Sequence, residues 1–290
     1  MIGKRVLHNE NFDIEIQSLL KTLYNAYGYD FSNYSSAHVK RRIQKRLNED
    51  KLDSVSQIKE RVLHEPDYAN DLLHDLSIRV TEMFRDPEFY LSVRELVIPL
   101  LKTWSHLRIW HAGCSTGEEV YSMAILLKEE GLYDRVQIYA TDFNQLALDH
   151  ARTGIYKTDQ IKKYARNYQN SGAKGDFSDY YYAEHDAAII DSTLKKNIIW
   201  ANHNLVTDSD FAEMHMIFCR NVMIYFNQKL QGRVHNLFHT SLVNGGILCL
   251  GSKETIRFSS HEGSYDILDK RLKIYKKKYG KGRNQHIEEH

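Results

Sequence analysis

The sequence has few cysteines, and their spacing gives no sign of a metal site or a disulfide framework. Cys114, Cys219 and Cys249 are far apart, and no CxxC pair occurs. A zinc site and a disulfide-stapled fold are therefore not indicated, and the pattern is typical of a reducing cytosol. With 290 residues, the chain is long enough to bury a core without either kind of support.

Two further features are missing: an excess of charge of one sign and a long apolar run. The formal net charge is +1, so any basic patch for a partner must be local. No run of about 18 apolar residues occurs, and the opening MIGKRVLHNENFDIEIQ lacks the apolar core of a secretion signal. We therefore expect a cytoplasmic protein that does not insert into a membrane.

The first part of the chain, 1–90, has the apolar spacing of helices and predicts a small helical domain. One helix is predicted from Ile14 to Tyr27, and others over 55–63 and 68–76. Between them, SSAHVKRRIQKRLNED places apolar side chains on one helix face. The other face, which we call the basic face, carries Lys40, Arg41, Arg42, Lys45 and Arg46. Pro87 is expected to begin a further helix, and Pro99 to end or bend it.

After Ser105, short apolar runs alternate with helical patterns, as in a parallel α/β sheet. The predicted strands are 107–113, 136–142, 214–221 and 247–252, with an antiparallel edge strand over 268–278. The predicted helices are 118–131, 144–151 and 231–246, the last ending in a glycine pair. The segment 154–200 is less regular and is interpreted as an insertion, and 279–290 as a polar tail. The fold class is therefore α/β, with a Rossmann-like domain over 91–278.

The segment HAGCSTGEEVYS, at 111–122, lies where the first strand meets the first helix. Such folds bind ligands there, and Gly113 and Gly117 would let backbone approach one. Asp142 ends the second strand, where an acid accepts hydrogen bonds from ribose hydroxyls, although it could instead cap the next helix. The glycines could likewise only form a turn. Because the spacing is not GxGxxG, S-adenosylmethionine, which has no phosphates, fits better than a dinucleotide.

Two other chemical roles, a cysteine nucleophile and a histidine metal site, are not favoured. Cys114 has no histidine or acid placed by sequence to activate it as a nucleophile. His235 and His239 have helical spacing but lack the glutamate of HExxH, so no metal is expected.

Several motifs together resemble the CheR-type chemoreceptor methyltransferases. They occur in the order of that family and are TEMFRDPEFY (81–90), CSTGEEVYSMA (114–124), ATDFNQLALDHARTGIY (140–156), NHNL (202–205) and FCRNVMIYF (218–226). The resemblance implies an S-adenosylmethionine-binding α/β domain that carries a small β-subdomain, here within 154–200, after a helical domain.

The resemblance also implies site residues. With Gly113 from the glycine loop, the cofactor-binding set is Thr81, Arg85, Gly113, Glu118, Asp142, Asn204, Leu205, Arg220 and Asn221. Arg85 and Tyr225 are the implied active-site residues. The chain departs from the family pattern at Arg79, where many members have asparagine, and at Val120, where they have proline.

The implied reaction transfers a methyl group from S-adenosylmethionine to glutamate side chains of chemoreceptor cytoplasmic regions. The products are glutamate methyl esters and S-adenosylhomocysteine. A carboxylate is already ionised at neutral pH, so the site needs alignment rather than a general base. The resemblance implies that the basic face docks on acidic receptor helices.

Other interpretations stay open at this point. The basic face could also bind phosphates, although nucleic acid is not the expected partner, and a monomer is expected. A cofactor-sensing interaction module with little turnover is the alternative function, and Arg79 is its only hint. An amino methyltransferase is disfavoured because CRNVMIY stands where a DPPY- or NPPY-like tetrapeptide would be.

Overall fold

The computed structural model describes residues 2–76, 81–208 and 211–279, without the side chains of 2–10 and 74. The first domain is all-helical, as predicted. Its helices are α1 (Ile2–Tyr27), α2 (Ser36–Glu49), α3 (Val55–His64) and α4 (Pro66–Leu76). They enclose one core, in which Leu23, Ile43 and Leu72 are fully buried. Within the described ranges, no helix combines the length and apolarity needed to cross a bilayer.

The boundary between the two domains comes earlier than residue 90. The core of the helical domain ends at Leu76, whereas Met83, Phe89 and Tyr90 are buried in the core of the second domain. Aromatic side chains of the TEMFRDPEFY motif therefore anchor that motif to the α/β domain.

The helix that begins at Pro87 passes Pro99 and runs on to Leu101. It consists of α5 (Pro87–Ser92), a π-helical turn (Val93–Val97) and α6 (Ile98–Leu101). A proline lacks an N–H and its ring clashes with the preceding helical turn, and a wider π turn relieves both problems. Pro99 does not end the helix, contrary to one of the two expectations. The irregularity that accompanies it is the π turn just before it.

The second domain is a doubly wound α/β sheet. Its further helices are α7 (Glu118–Glu129), α8 (Gln145–Thr153), α9 (Thr158–Asn170) and α10 (Gln228–Ser241). The strands are β1 (Leu107–Ala112), β2 (Val136–Asp142), β3 (Ile155–Lys157), β4 (Tyr181–Glu184), β5 (Ala187–Ile190), β6 (Ile198–Asn202), β7 (Met214–Cys219), β8 (Leu242–Leu250), β9 (Tyr265–Asp269) and β10 (Ile274–Lys277).

The large sheet has the order β6-β2-β1-β7-β8-β10-β9. The strands β6, β2, β1, β7 and β8 are parallel, and β10 is antiparallel to both β8 and β9. The order reverses direction at β1, so the carboxyl ends of β1, β2 and β7 meet where such folds bind ligands. The small sheet β3-β5-β4, together with α9, forms the expected β-subdomain.

Three boundaries differ from the sequence interpretation. Residues 198–202 form the edge strand β6 of the large sheet, so the insertion ends before them. The stretch 268–278 contributes to a hairpin of two strands, β9 and β10, rather than a single edge strand. Helix α10 ends at Ser241, and Gly245 and Gly246 lie inside β8, opposite an irregularity in its pairing with β7. The glycine pair therefore accommodates a strand irregularity and not a helix end.

Candidate functional site

A cleft opens at the carboxyl ends of β1, β2 and β7, against the helical domain. Its volume is about 1040 Å³ when the open mouth is counted. The predicted site residues in its lining are Thr81, Arg85, Gly113, Asp142, Asn204, Leu205, Arg220, Asn221 and Tyr225. The structure thus brings together all of the predicted cofactor and active-site residues except Glu118.

The glycine loop is shaped by a close approach. Gly113 has φ +80°, and a Cβ there would lie 2.6 Å from Cγ2 of Val222. The N–H groups of Gly113 and Cys114 both donate to the carbonyl of Thr141, at 2.8 and 2.9 Å. Gly113 is therefore needed both for its backbone conformation and for the contact with Val222.

Ser115, in the same loop, lines the cleft and has a buried hydroxyl. Its φ is +52°, and its Oγ is buried without a hydrogen-bond partner among the described residues. A buried hydroxyl without a partner is costly unless a ligand completes it. Ser115 therefore fits a loop that binds a polar ligand.

Asp142 is held in place by backbone donors. Its Oδ2 accepts from the N–H of Ser115 and its Oδ1 from the N–H of Asn144, both at 2.9 Å. Burial raises the pKa of Asp142, and these hydrogen bonds partly oppose that shift. The capping side chain of α8 is Asn144, which accepts from the N–H of Ala147. A carboxylate has about four lone-pair sites, so Asp142 can still accept from a ribose hydroxyl beside its backbone donors Ser115, Asn144 and Phe143.

The two adjacent glutamates of the loop have different roles. Glu118 lies outside the cleft lining given by the described residues, and its Oε2 accepts from the hydroxyl of Thr116 at 2.7 Å. Glu119 lines the cleft and accepts from Nδ1 of His111 and from Arg220. Burial alone would raise the pKa of Glu119, but His111 and Arg220 outweigh it and hold the pKa below its usual value. Glu119 is thus the acid of this pair that the cleft presents.

Arg220 is surrounded by partners. It donates to Oδ2 of Asp86 at 2.7 Å and to Oε2 of Glu119 at 3.2 Å, and its guanidinium lies 4.0 Å from the ring centre of Phe89. It also approaches the carbonyl of Arg85 at 3.5 Å. Arg220 therefore fixes the segment that carries Arg85, and its charge is balanced by carboxylates.

Tyr225 lies where the two domains meet. Its ring centre is 4.7 Å from that of His38 in α2. Burial raises the pKa of Tyr225, although the charges of Arg85 and Arg42 oppose the shift. The phenol therefore keeps its proton at neutral pH and can donate a hydrogen bond into the cleft.

The far end of the cleft has apolar and amide groups. Leu205 is buried, and Oδ1 of Asn204 accepts from the N–H of Val206 at 2.9 Å. The rings of Phe143 and His203 also line this end. Such a set suits a flat, weakly polar base. Phe143 and His203 lie within the sequence motifs but were not assigned to the site. Tyr34 of the helical domain lies outside the motifs, and only the tertiary fold brings it to the cleft.

The basic face divides into two groups. Lys40 pairs with Asp13, Lys45 with Glu49, and Arg46 with Asp75. Arg46 is the least exposed of these three, since its side chain is only 14% exposed. Arg41 is exposed and Arg42 is half-buried. Both are close enough for their charges to act on the pKa of Tyr225.

Cys114 is not a nucleophile. It is buried, and its pKa lies well above the usual value because of that burial and the charges of Asp142 and Glu119.

Arg79 and residues 280–290 of the tail lie outside the described residues.

Comparison with known proteins agrees with this division of the chain. The domain family described as "CheR methyltransferase, SAM binding domain" matches residues 79–273, and "CheR methyltransferase, all-alpha domain" matches residues 14–77. The cofactor is therefore S-adenosylmethionine, and the glycine loop, Asp142 and Ser115 fit it. Which cleft residues contact it stays a prediction.

Curated relatives are similar over nearly their whole length. The "Putative methyltransferase Cher3" of Pseudomonas putida is 50% identical over 92% of this chain and 98% of its own. The "Chemotaxis protein methyltransferase" of Borreliella burgdorferi is 31% identical over 84% of this chain and 88% of its own. The "Chemotaxis protein methyltransferase 2" of Pseudomonas aeruginosa is 29% identical over 90% of this chain and 92% of its own.

Proposed function

Because this chain belongs to the CheR methyltransferase family and is an S-adenosylmethionine-dependent methyltransferase, we propose that it methylates glutamate side chains of chemoreceptor cytoplasmic regions. The products are glutamate methyl esters and S-adenosylhomocysteine. The names of the relatives place such enzymes in chemotaxis, and we extend that role to this chain. The cytoplasm is the compartment where both substrates are available.

The arrangement of Arg85 and Tyr225 carries the proposal. Both line the cleft that also contains Asp142 and the glycine loop, so an acceptor held by the pair would lie beside the cofactor. S-adenosylmethionine supplies an electrophilic methyl carbon, which a carboxylate oxygen attacks while the electron pair of the broken C–S bond stays on sulfur. The acceptor needs no base, because it is ionised at neutral pH. Arg85 and the phenol of Tyr225 are proposed to orient it.

The charge balance of the site also supports this chemistry. A carboxylate loses its charge as the ester forms, so a site that binds the anion too tightly would oppose the reaction. Arg220 lies in the same lining, but Glu119 and Asp86 neutralise it. We propose that Arg85, which lines the cleft and whose charge acts on Tyr225, meets the acceptor together with a neutral donor, Tyr225.

The acceptor is proposed to approach along α2. Arg41 and Arg42 act on Tyr225 through their charges, whereas Lys40, Lys45 and Arg46 have acidic partners within the helical domain. We propose that the basic face binds acidic receptor helices chiefly through Arg41 and Arg42. Opposite charges would then guide the acceptor to the mouth of the cleft.

The deciding experiment uses cofactor labelled in its methyl group and candidate receptor cytoplasmic fragments. Transfer of label to the fragment, released by alkali as expected of a methyl ester, supports the proposal. Fragments in which the labelled glutamates are changed to alanine serve as the control. Cofactor binding without any labelled ester would instead favour a sensing module.

A further inference from the structure

Glu254 lies in the loop after β8, next to the turn that carries Asn221 and Tyr225. β7 and β8 are parallel neighbours, and their last residues, Cys219 and Leu250, are paired. The segments that follow the two strands therefore leave the sheet side by side, at the edge where the cleft lies. Glu254 is only 5% exposed, and no sequence motif singled it out.

The carboxylate of Glu254 accepts five backbone hydrogen bonds. The donors are the N–H groups of Gly251 (2.5 Å) and Asn221 (2.9 Å) to Oε2, and of Val222 (2.9 Å), Met223 (2.7 Å) and Ile224 (3.3 Å) to Oε1. Four of the five are consecutive, so one side chain binds the whole start of the turn over 221–225. Hydrogen bonds from N–H groups to an ionised acceptor are stronger than those to a neutral one.

Two backbone features are matched to this carboxylate. A Cβ on Gly251 would lie 2.6 Å from Oε2 of Glu254 and 2.8 Å from the nitrogen of Asn221, so only glycine leaves room for the contact. Asn221 has φ +63°, in the left-handed region that costs energy for a residue with a side chain. The hydrogen bonds from the turn to Glu254 offset that cost.

The turn shapes the cleft on two sides. Asn221, Val222 and Tyr225 all belong to the lining, and Val222 packs against Gly113 of the glycine loop. The described residues that line the cleft do not include Glu254. Glu254 therefore acts on the lining through its hydrogen bonds to the turn, besides the effect of its charge on Tyr225.

We propose that Glu254 is a positioning residue, whose carboxylate holds the 221–225 turn in the shape that binds cofactor and places Tyr225. The expected loss of cofactor affinity when Glu254 is changed depends only on the fold and on the identity of the cofactor. The effect on Tyr225 rests on the proposed function, since it concerns the acceptor.

The test compares Glu254→Gln with the unaltered protein. An amide keeps the size of the side chain but turns an N–H group toward N–H donors, so at least one of the two oxygen sites is lost. We expect the dissociation constant for S-adenosylhomocysteine, measured by calorimetry, to rise about tenfold or more. Backbone hydrogen exchange over 221–224 in the cofactor-free protein should become faster. Glu262→Gln is the matched control, because this exposed carboxylate accepts from the N–H of Phe258 in the same loop.

A second variant reaches the same contact from the other side. Gly251→Ala leaves Glu254 intact but places a methyl group against its carboxylate, and it should raise the same dissociation constant. Because the methyl group would press on both Glu254 and Asn221, the loss in the double variant should be smaller than the sum of the two single losses. Gly251→Ala also keeps the test decisive if Glu254→Gln does not fold.

Unchanged product affinity and unchanged exchange over 221–224 in a folded Glu254→Gln protein would overturn the inference. So would an effect on thermal stability alone, with affinity kept. Neither measurement needs an acceptor protein. A failure to methylate receptor fragments would therefore count against the proposed function and leave the inference about the cofactor standing.

Discussion

The backbone N–H of Ser35 donates a hydrogen bond of 2.7 Å to the carbonyl oxygen of Tyr225. Ser35 immediately precedes α2, so the helix with the basic face begins at the backbone of Tyr225, a proposed active-site residue. His38, one turn into that helix, packs its ring against the ring of Tyr225. The helical domain therefore contacts both the backbone and the ring of Tyr225, the residue proposed to orient the acceptor.

Gly113→Ala should weaken cofactor binding and lower the free energy of unfolding by about 2 to 4 kcal/mol. The added Cβ would lie 2.6 Å from Val222, at a φ of +80°. Gly131→Ala is the control, because its φ is +70° but nothing lies within 4 Å of the added Cβ. Denaturant unfolding and calorimetry measure both effects. Adding Val222→Ala to Gly113→Ala should recover part of the loss, and equal losses at Gly113 and Gly131 would contradict the role of the contact.

Arg85→Ala should lower kcat/KM for methyl transfer about 100-fold or more, because it removes the cation proposed to orient the acceptor carboxylate. Steady-state kinetics with a receptor fragment measure this, and calorimetry measures cofactor affinity in parallel. Arg257→Ala is the control, since Arg257 is exposed and lies outside the cleft lining among the described residues. Full methyl transfer together with full cofactor affinity in Arg85→Ala would show that Arg85 neither orients the acceptor nor binds the cofactor.

The basic face should separate into docking and structural residues. Arg41→Ala combined with Arg42→Ala should raise KM for the acceptor about tenfold and weaken its dependence on salt, with cofactor affinity kept. Lys45→Ala should change little, because Lys45 is half-exposed and pairs with Glu49 on its own helix. An unchanged KM in the double variant would exclude these two arginines from docking.

Arg46→Ala should instead act on stability. It removes the partner of Asp75 in a pair whose side chains are only 14% and 21% exposed. We expect the free energy of unfolding to fall by about 2 kcal/mol, with KM for the acceptor unchanged in the folded protein. A raised KM without loss of stability would show that Arg46 also meets the acceptor.

Acid should destabilise the protein partly through His235. Burial lowers the pKa of His235 from 6.5 to about 4, although its hydrogen bond to the carbonyl of Thr255 opposes the shift. The unfolded chain thus binds this proton below pH 6.5, while the folded chain does so only near pH 4. The stabilisation is full above pH 6.5 and is lost as the pH falls toward 4, on the order of 3 kcal/mol.

His235→Gln should flatten the fall in unfolding free energy between pH 6.5 and 4, measured by denaturant titration at several pH values. Burial also lowers the pKa of the neighbouring His239 to about 4, so part of the fall should remain. His106→Gln, at an exposed histidine, should leave the profile unchanged. If His235→Gln gave the profile of the unaltered protein, His235 would not be the titrating group.

Apolar periodicity and sequence motifs predicted the helices and strands that bury one face. The order of these elements also predicted the position of the cleft. The strand-end Asp142 and the loop glycine Gly113 were found because their places follow from the alternation of strand and helix. β6 was missed, since its short run follows an irregular insertion. Gly245 and Gly246 were assigned to a helix end because a glycine pair is equally compatible with a helix end and with an irregularity in a strand.

The choice between Glu118 and Glu119 shows where sequence reasoning ends. Consecutive helix residues point about 100° apart, so which acid faces the cleft depends on the rotation of α7. That rotation is set by partners distant along the chain, among them Arg220. Glu254 was missed for a similar reason, because four of its five donors lie 30 to 33 residues earlier and meet it only through the pairing of β7 and β8.

Tyr34 and Leu76 of the helical domain line the same cleft as Asp142 and Asn221 of the α/β domain. A ligand that contacts both domains lowers the free energy only of the arrangement in which the two domains are together. A cofactor that contacts both sides would therefore stabilise the two domains in this arrangement. With cofactor bound, the basic face proposed for docking would then be held at a fixed angle to the cleft.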